Sequence, residues 1–497
     1  MKSRLDPKEW RLLSQRQRMS PFPNYMSMEA MCGDLERYVG VALKEIILVF
    51  QDRIMNGFNL KKQFDRAGSE IVARVDKNPL LYHKLIQLQH KWGKKLVQQS
   101  RIAGKGAPEA AARSLYEMWH SFNDVYVQVY ASYGSVWVIE DVLNAKLLDI
   151  VKKRVMDELK SVEILNALTL QPDAMVARIE CQAFYELAIK VCSQPTWRRW
   201  ILNKQRQGAD KQLVSLIRQH EQKYFWVTRD YEDPVITFDS IIERLKEVVF
   251  TSPKLILDGM MAESKYYMAE RARLTKKLKL TSHEQALFAA MRDVAFLKEL
   301  RKRYVSESLY YFDPVLEAIA SKSYLSVKQV RFLRTKDVAD ILLRHKDYTT
   351  EVNSRITLSA WVTTKNGTEV FVGNKVEKFK STFLAHSSKT REFIGMPVSP
   401  GVARGPVRII MNPDECHKVK KGDIIVSIQV VPSFSAAIQR AAGLICDGGH
   451  GITTHPAILA REAGIPAIIQ TRFAREVLKD GDMVEVDGYK GVAKKIG

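Results

Sequence analysis

The sequence predicts a multidomain chain: a large, mainly helical N-terminal region, then a β-hairpin, then a C-terminal domain that mixes strands and helices. Three observations predict it. Before about Arg355, apolar residues recur three or four apart over long stretches. Around Asn366-Gly367, two alternating runs face each other across a turn. From Ala442 onward, a short apolar strand, a loop punctuated by Gly448, Gly449 and Gly451, and a helical stretch follow in turn.

The helical spacing covers Asp34 to Phe50, Leu80 to Gln99, Pro108 to Ser132, Ser135 to Leu159, Pro172 to Val191 and Asp239 to Val249. Glycine and proline mark the joints at Asn56-Gly57, Gly104-Lys105-Gly106, Gln171-Pro172, Gln194-Pro195 and Ser252-Pro253. The stretch Arg18 to Glu29 (RMSPFPNYMSME) is Pro-rich and reads as a non-helical ordered loop, with a lid over a site as the alternative. Thr281 and Glu284 have capping-box spacing and open the next helix. Ile356 to Thr364 and Thr368 to Val372 alternate around a predicted type I′ turn, forming the one clear hairpin before the last domain. The polar run Lys380 to Thr390 reads as a hinge; a dozen extended residues reach about 40 Å. The expected division is 1–270 helical, 271–379 helical segment plus hairpin, 380–391 hinge, and 392–497 final domain.

Composition sets outer bounds. The chain has 497 residues, 46% of them hydrophobic, enough for two to four cores of about 100–200 residues each. No apolar run approaches the ~20 residues of a membrane span, and the opening segment is too polar for a secretory signal. The five cysteines, Cys32, Cys181, Cys192, Cys416 and Cys446, are scattered without CxxC spacing, which speaks against a disulfide framework and a zinc site. A soluble, cytoplasmic protein is expected. Of the net charge of +21, about +18 precedes Arg391, interleaved with acids at helical spacing as in Lys152-Lys153-Arg154 and Asp157-Glu158. That pattern describes solvated helix faces, so nucleic acid is not the expected partner.

One histidine stands out. His455 lies at the start of the helical stretch Pro456 to Glu462, with Pro expected at its first position. Unpaired amide N–H groups and the positive end of the helix dipole favour an anion there by roughly 0.3–1 kcal/mol, which suits a phosphorylated imidazole. The same field disfavours the imidazolium and keeps the ring nucleophilic near neutral pH. Thr453 and Thr454 add hydroxyl donors. His450 reads as an exposed loop histidine, with an acid–base or phosphate-contact role as the alternative. The aromatic series Tyr116, Trp119, Phe122, Tyr126, Tyr130, Tyr133 and Trp137 has the spacing of a helix core, and an acceptor pocket is the alternative.

Four stretches carry a resemblance: SPGVARGPVRII (Ser399 to Ile410), KGDIIVS (Lys421 to Ser427), TTHPAILAREAGIPAII (Thr453 to Ile469) and LKDGDMVEVDGYKGVAKKI (Leu478 to Ile496). In this order the segment from about Ile394 resembles the mobile, swivelling phosphohistidine domain of the PEP-utilising enzymes phosphoenolpyruvate synthase, pyruvate phosphate dikinase and rifampicin phosphotransferase. The resemblance implies a β/β/α swivelling fold with His455 as phosphoacceptor, the Thr453-Thr454 pair before it, and Arg461-Glu462 on the supporting helix. It departs from the family at Pro456, in a longer GGHGI loop, and at Gln470, Arg472 and Phe473. The stretch that includes YLSVKQVRFLRTKDVADILL is similar to the helical segment that often precedes this domain.

In such enzymes an ATP-grasp domain loads the histidine, and the domain then swings to a second site. No strand-rich nucleotide cradle is legible here, and Gly104-Lys105-Gly106 lacks the Walker A spacing. The resemblance therefore implies a phosphotransferase component with no cofactor or metal in this chain. ATP and Mg2+ are expected on a separate ATP-grasp subunit, and the acceptor is an unidentified small molecule. His120, His220 and His283 are not singled out as its base. The alternatives are a non-catalytic docking protein with a relict domain, and a phosphorelay protein charged from phosphoenolpyruvate by another chain.

Overall fold

A computed structural model describes residues 10–16, 18–51, 53–170, 175–203, 210–385, 391–449, 454–471 and 473–496. The helical expectation holds for most of the N-terminal region. Helices Leu81–Gly106, Ala112–Ala131, Val136–Lys152 and Ser282–Ser323 surround one large apolar core. The last begins at the expected capping box: Thr281 Oγ1 accepts from the Glu284 amide at 3.2 Å, and the Glu284 carboxylate accepts from the Thr281 amide at 2.8 Å. Leu81–Gly106 packs closely along Ser282–Ser323 because a Cβ at Gly93 would collide with the Tyr304 ring, and one at Gly104 with the Tyr311 carbonyl. These two glycines set an interhelical distance. Gly104-Lys105-Gly106 is thus the last turn of a helix that continues beyond the expected Gln99.

A second, smaller core unites helices Val176–Ser193, Pro195–Asn203, Lys211–Tyr224 and Phe238–Val248. Helix Pro253–Lys277 follows and runs through the expected boundary at residue 270, and residues on either side of that boundary share the large core. The expected single helix Ser135 to Leu159 is two, the second capped by Asp157, whose side chain accepts from the Lys160 amide.

The largest correction is a five-stranded antiparallel sheet. It comprises β1 (Trp10–Arg16), β2 (Glu45–Gln51), β3 (Ile54–Leu60), β4 (Ser359–Thr364) and β5 (Gly367–Val372) in the order β1-β3-β2-β4-β5. Asp34 to Phe50 is therefore a short helix, Leu35–Val39, followed by a strand. Ile46, Leu48 and Phe50 face the large core, while Ile47 and Val49 meet Val376 and Phe379 on the other face. A strand buried on both sides is apolar at every position, and such a run mimics helical spacing. The β2–β3 pair is a second hairpin, and Asn56-Gly57 lies within β3 rather than at a joint. Ile356 and Thr357 end helix Thr349–Thr357 instead of opening β4. At the β4–β5 turn only Gly367 has positive φ, +100°, so the turn is not type I′. The Pro-rich segment is helix Pro21–Cys32, non-helical only at Phe22 and Pro23, and Phe22 is fully buried against Trp119, Phe122 and Phe312. It is core, not a lid. The expected hinge is helical through Ala385, and residues 386–390 lie outside the described residues.

The C-terminal domain is built on an eight-stranded sheet: β6 (Glu392–Ile394), β7 (Met396–Ser399), β8 (Val402–Ile409), β9 (Ile424–Ser427), β10 (Gly443–Cys446), β11 (Ala467–Ile469), β12 (Met483–Asp487) and β13 (Val492–Lys495). The order is β6-β13-β12-β8-β9-β10-β11-β7, parallel from β8 to β11 and antiparallel at both flanks. Alternation assigns Ile425, Leu444, Cys446, Ala467 and Ile469 to the face covered by helix His455–Glu462. Ile424, Val426, Ile445 and Ile468 face Leu478, Val484 and Val486. The five cysteines are free. Among the described residues no helix is long and apolar enough to cross a membrane.

Candidate functional site

His455 occupies the first turn of helix His455–Glu462. Thr454 is its extended N-cap (φ −82°, ψ 156°), and Pro456 is the second helical residue rather than the expected first. The Thr454 carbonyl accepts from the Ile458 amide at 2.9 Å, and buried Ala457 and Ala460 press the helix onto the sheet. The chain arrives from β10 through Asp447, Gly448 and Gly449. The Gly448 amide donates to the Ile428 carbonyl at 2.9 Å, and Gly449 has φ +93°. Asp447 fastens this loop to the following segment: its carboxylate accepts from Thr471 Oγ1 (2.6 Å) and from the amides of Ala474 (2.7 Å) and Arg475 (2.9 Å). Burial nevertheless pushes its pKa up to about 6. His450, Gly451 and Thr453 lie outside the described residues.

His455 is half-buried and lines a cavity of about 220 Å3 between the C-terminal domain and the helical body. The C-terminal side supplies Gly449, Thr454, His455 and Pro456 with Ile428 to Val430. The opposite wall comes from β1 (Ser14, Gln15, Arg16), from Tyr133, Trp137 and Glu140, from Asp230, and from Lys298, Glu299, Arg301 and Lys302 of the long helix. Lys298 is ion-paired with Glu140. Arg16 lies 3.9 Å from Asp230 and stacks over Trp137. The Val176 amide donates to Glu299 at 2.9 Å. Arg301 Nη1 donates to the phenols of Tyr130 (3.1 Å) and Tyr231 (3.3 Å), which are 2.6 Å apart. Burial holds the His455 pKa below its ordinary 6.5, Lys302 adds to the effect, and Glu299 and Asp230 oppose it. The imidazolium is therefore disfavoured near neutral pH.

Of the sequence-derived candidates, Gly449, Thr454 and His455 meet at this cavity, and Gly448 adjoins it. Arg461 and Glu462, at the other end of the helix, line a separate cavity of about 660 Å3 with Tyr267 and Arg178. The aromatic series divides. Trp119, Phe122, Tyr126 and Tyr130 are buried core, while Tyr133 and Trp137 reach the cavity wall. His120, His220 and His283 pair elsewhere, with Asp124, Glu180 and Asp76. Among the described residues no cluster of three or more acidic, His or Cys side chains converges as a metal site. Sequence reasoning missed Arg16, Glu140, Asp230, Lys298, Glu299, Arg301 and Lys302. The run from Lys298 to Arg303 on a helix otherwise committed to the core was the available signal.

The C-terminal domain presents His455 to a charged pocket, and the comparisons place this domain in a known class. Residues 419–491 match the family model described as PEP-utilising enzyme, mobile domain. This part of the chain is 46% identical over 98 residues to a probable phosphoenolpyruvate synthase of Archaeoglobus fulgidus, covering 20% of this chain and 13% of that protein. It is 42% identical over 107 residues to the phosphoenolpyruvate synthase of Pyrococcus furiosus (20% and 13%). It is 40% identical over 123 residues to the uncharacterized phosphotransferase YvkC of Bacillus subtilis (25% and 14%). The chain thus spans only 13–14% of the length of these relatives. It carries a domain of a phosphotransferase family.

Proposed function

We propose that this chain is a phosphotransferase component that carries a phosphoryl group on His455, taking it from ATP held with Mg2+ by a separate ATP-grasp subunit. It delivers the group to a small-molecule acceptor in the cavity against the helical body. One observation carries this reading: a neutral imidazole at a helix N-terminus faces a pocket into which the helical body projects Arg16, Lys298, Arg301 and Lys302. These four cations outnumber the three carboxylates of the same wall, Glu140, Asp230 and Glu299, so the pocket favours an anion such as a phosphoryl group, and fixed cations stabilise the charge that spreads over its oxygens during transfer. An acceptor hydroxyl or carboxylate oxygen attacks phosphorus, the P–N bond breaks, and its electron pair returns to the imidazole nitrogen. A hydroxyl proton passes to Glu299 or Asp230, the two carboxylates that act on His455.

The test mixes the protein with labelled ATP, with and without a candidate ATP-grasp chain, and scores acid-labile, base-stable label. Label is expected only with the partner, and it is expected to disappear in His455→Ala but persist in His450→Ala. Label on His455→Ala, or its absence with every ATP-grasp partner tried while phosphoenolpyruvate and its enzyme supply it, overturns the proposal.

A further inference from the structure

Among the described residues several guanidinium groups are tied to carboxylates, Arg229 and Arg331 to Asp313 (2.7 and 2.9 Å), Arg355 to Asp337 (2.6 Å) and the part-exposed Arg244 to Glu180 (2.6 Å), while Arg292 and Arg271 end on the backbone carbonyls of Leu168 and Leu170. Arg301 is held differently. Both hydrogen bonds of its guanidinium use Nη1 and end on phenols, and its carbon centre lies 5.8 and 5.0 Å from the ring centroids of Tyr130 and Tyr133. Its Nε is buried without a hydrogen-bond partner among the described residues. An unpartnered buried N–H is expensive to maintain. The phenols therefore hold the group through Nη1 and leave the Nε–Nη2 edge, the pair of parallel N–H groups that matches two oxygens of a phosphate. Asp230 is the carboxylate among the charges acting on this cation, and Arg16 stands 3.9 Å from that acid.

From this geometry, and resting on the function proposed above, we infer that Arg301 binds the phosphoryl group facing His455, and that Tyr130 and Tyr231 are positioning residues that aim it. With the histidine uncharged, the same edge takes a free phosphate-type oxyanion. During transfer Arg301 neither gains nor loses a proton; its two N–H groups follow the phosphoryl oxygens while the P–N bond is exchanged for a P–O bond.

The experiment titrates the intact, uncharged protein with inorganic phosphate and follows the His455 ring by NMR. In parallel, His455 is charged chemically with phosphoramidate, which needs no partner protein. Wild-type protein is expected to bind phosphate, and Arg301→Ala to lose about tenfold or more in affinity, with recovery on adding guanidinium ion. Tyr130→Phe and Tyr231→Phe, each checked for native folding by circular dichroism and thermal melting, are expected to weaken phosphate binding about threefold or more each, non-additively, because they act through one group. Equal phosphate affinity across these variants, or no guanidinium rescue of a folded Arg301→Ala, overturns the inference. Arg301-dependent phosphate binding without any charging of His455 would retain this site and sink the carrier reading instead.

Discussion

Gly448 and Gly449 precede the histidine, and they exclude alanine for different reasons. At Gly449 a Cβ has room, its nearest neighbours being Ile469 Cδ1 at 3.4 Å and Pro456 Cγ and Thr454 Oγ1 at 3.6 Å. What alanine meets there is the backbone, since φ is +93°. A left-handed conformation costs an L-residue about 1–2 kcal/mol. If the loop relieves that strain by opening, the population holding the native approach to His455 falls by a factor of about 5–30. Charging of His455 by phosphoramidate, read as phosphopeptide by mass, is expected to slow by that factor in Gly449→Ala. Gly449→Asn is expected to lose less, because asparagine tolerates positive φ. At Gly448 the conformation is ordinary, but a Cβ would lie 2.5 Å from the Ile428 carbonyl oxygen, which the Gly448 amide already bonds. Gly448→Ala must therefore displace backbone, and its melting temperature is expected to fall more than that of Gly449→Ala. Wild-type charging in a fully folded Gly449→Ala would refute the idea that this loop sets the presentation of the nucleophile.

The His455 ring is expected to titrate below 6.5 in an NMR pH series, and Lys302→Gln to move the midpoint upward; a midpoint at or above 6.5 would contradict the burial described. Because the folded pKa is depressed, its contribution to stability is complete above the unfolded value and is lost as pH falls through the folded midpoint. Phe22→Ala is expected to cost about 3–5 kcal/mol in denaturant unfolding, because the ring fills a fully buried site, while leaving His455 charging of the folded protein unchanged. A stable variant with altered charging would restore the lid reading of Arg18 to Glu29.

Legibility followed the physics of each segment. The capping box at Thr281 and the stripes of the long helices were readable because one face is apolar and the other polar, so the period shows. Strand β2 was not, because EIILVF is buried on both faces and carries no period. His455 could be found because its surroundings are local in sequence: strand, glycine loop, cap and helix lie within twenty residues. The opposing wall could not. Ser14 to Arg16, Trp137, Asp230 and Lys298 to Lys302 are joined only by tertiary packing, and apart from the charged run starting at Lys298 none of these segments carries a pattern alone.

The helix Ser282–Ser323 runs unbroken for 42 residues, roughly 63 Å at ~1.5 Å per residue. Near its start Glu284 grips Arg154, and toward its end Asp313 ties down both Arg229 and Arg331. The charged patch at Lys298 to Lys302 therefore sits mid-span on a beam anchored on both sides. Under the proposed function, such anchoring on both sides of the patch would leave the alignment of donor and acceptor to the approach of the histidine rather than to movement of the wall, with the one internal proline, Pro314, lying beyond the patch at the C-terminal anchor.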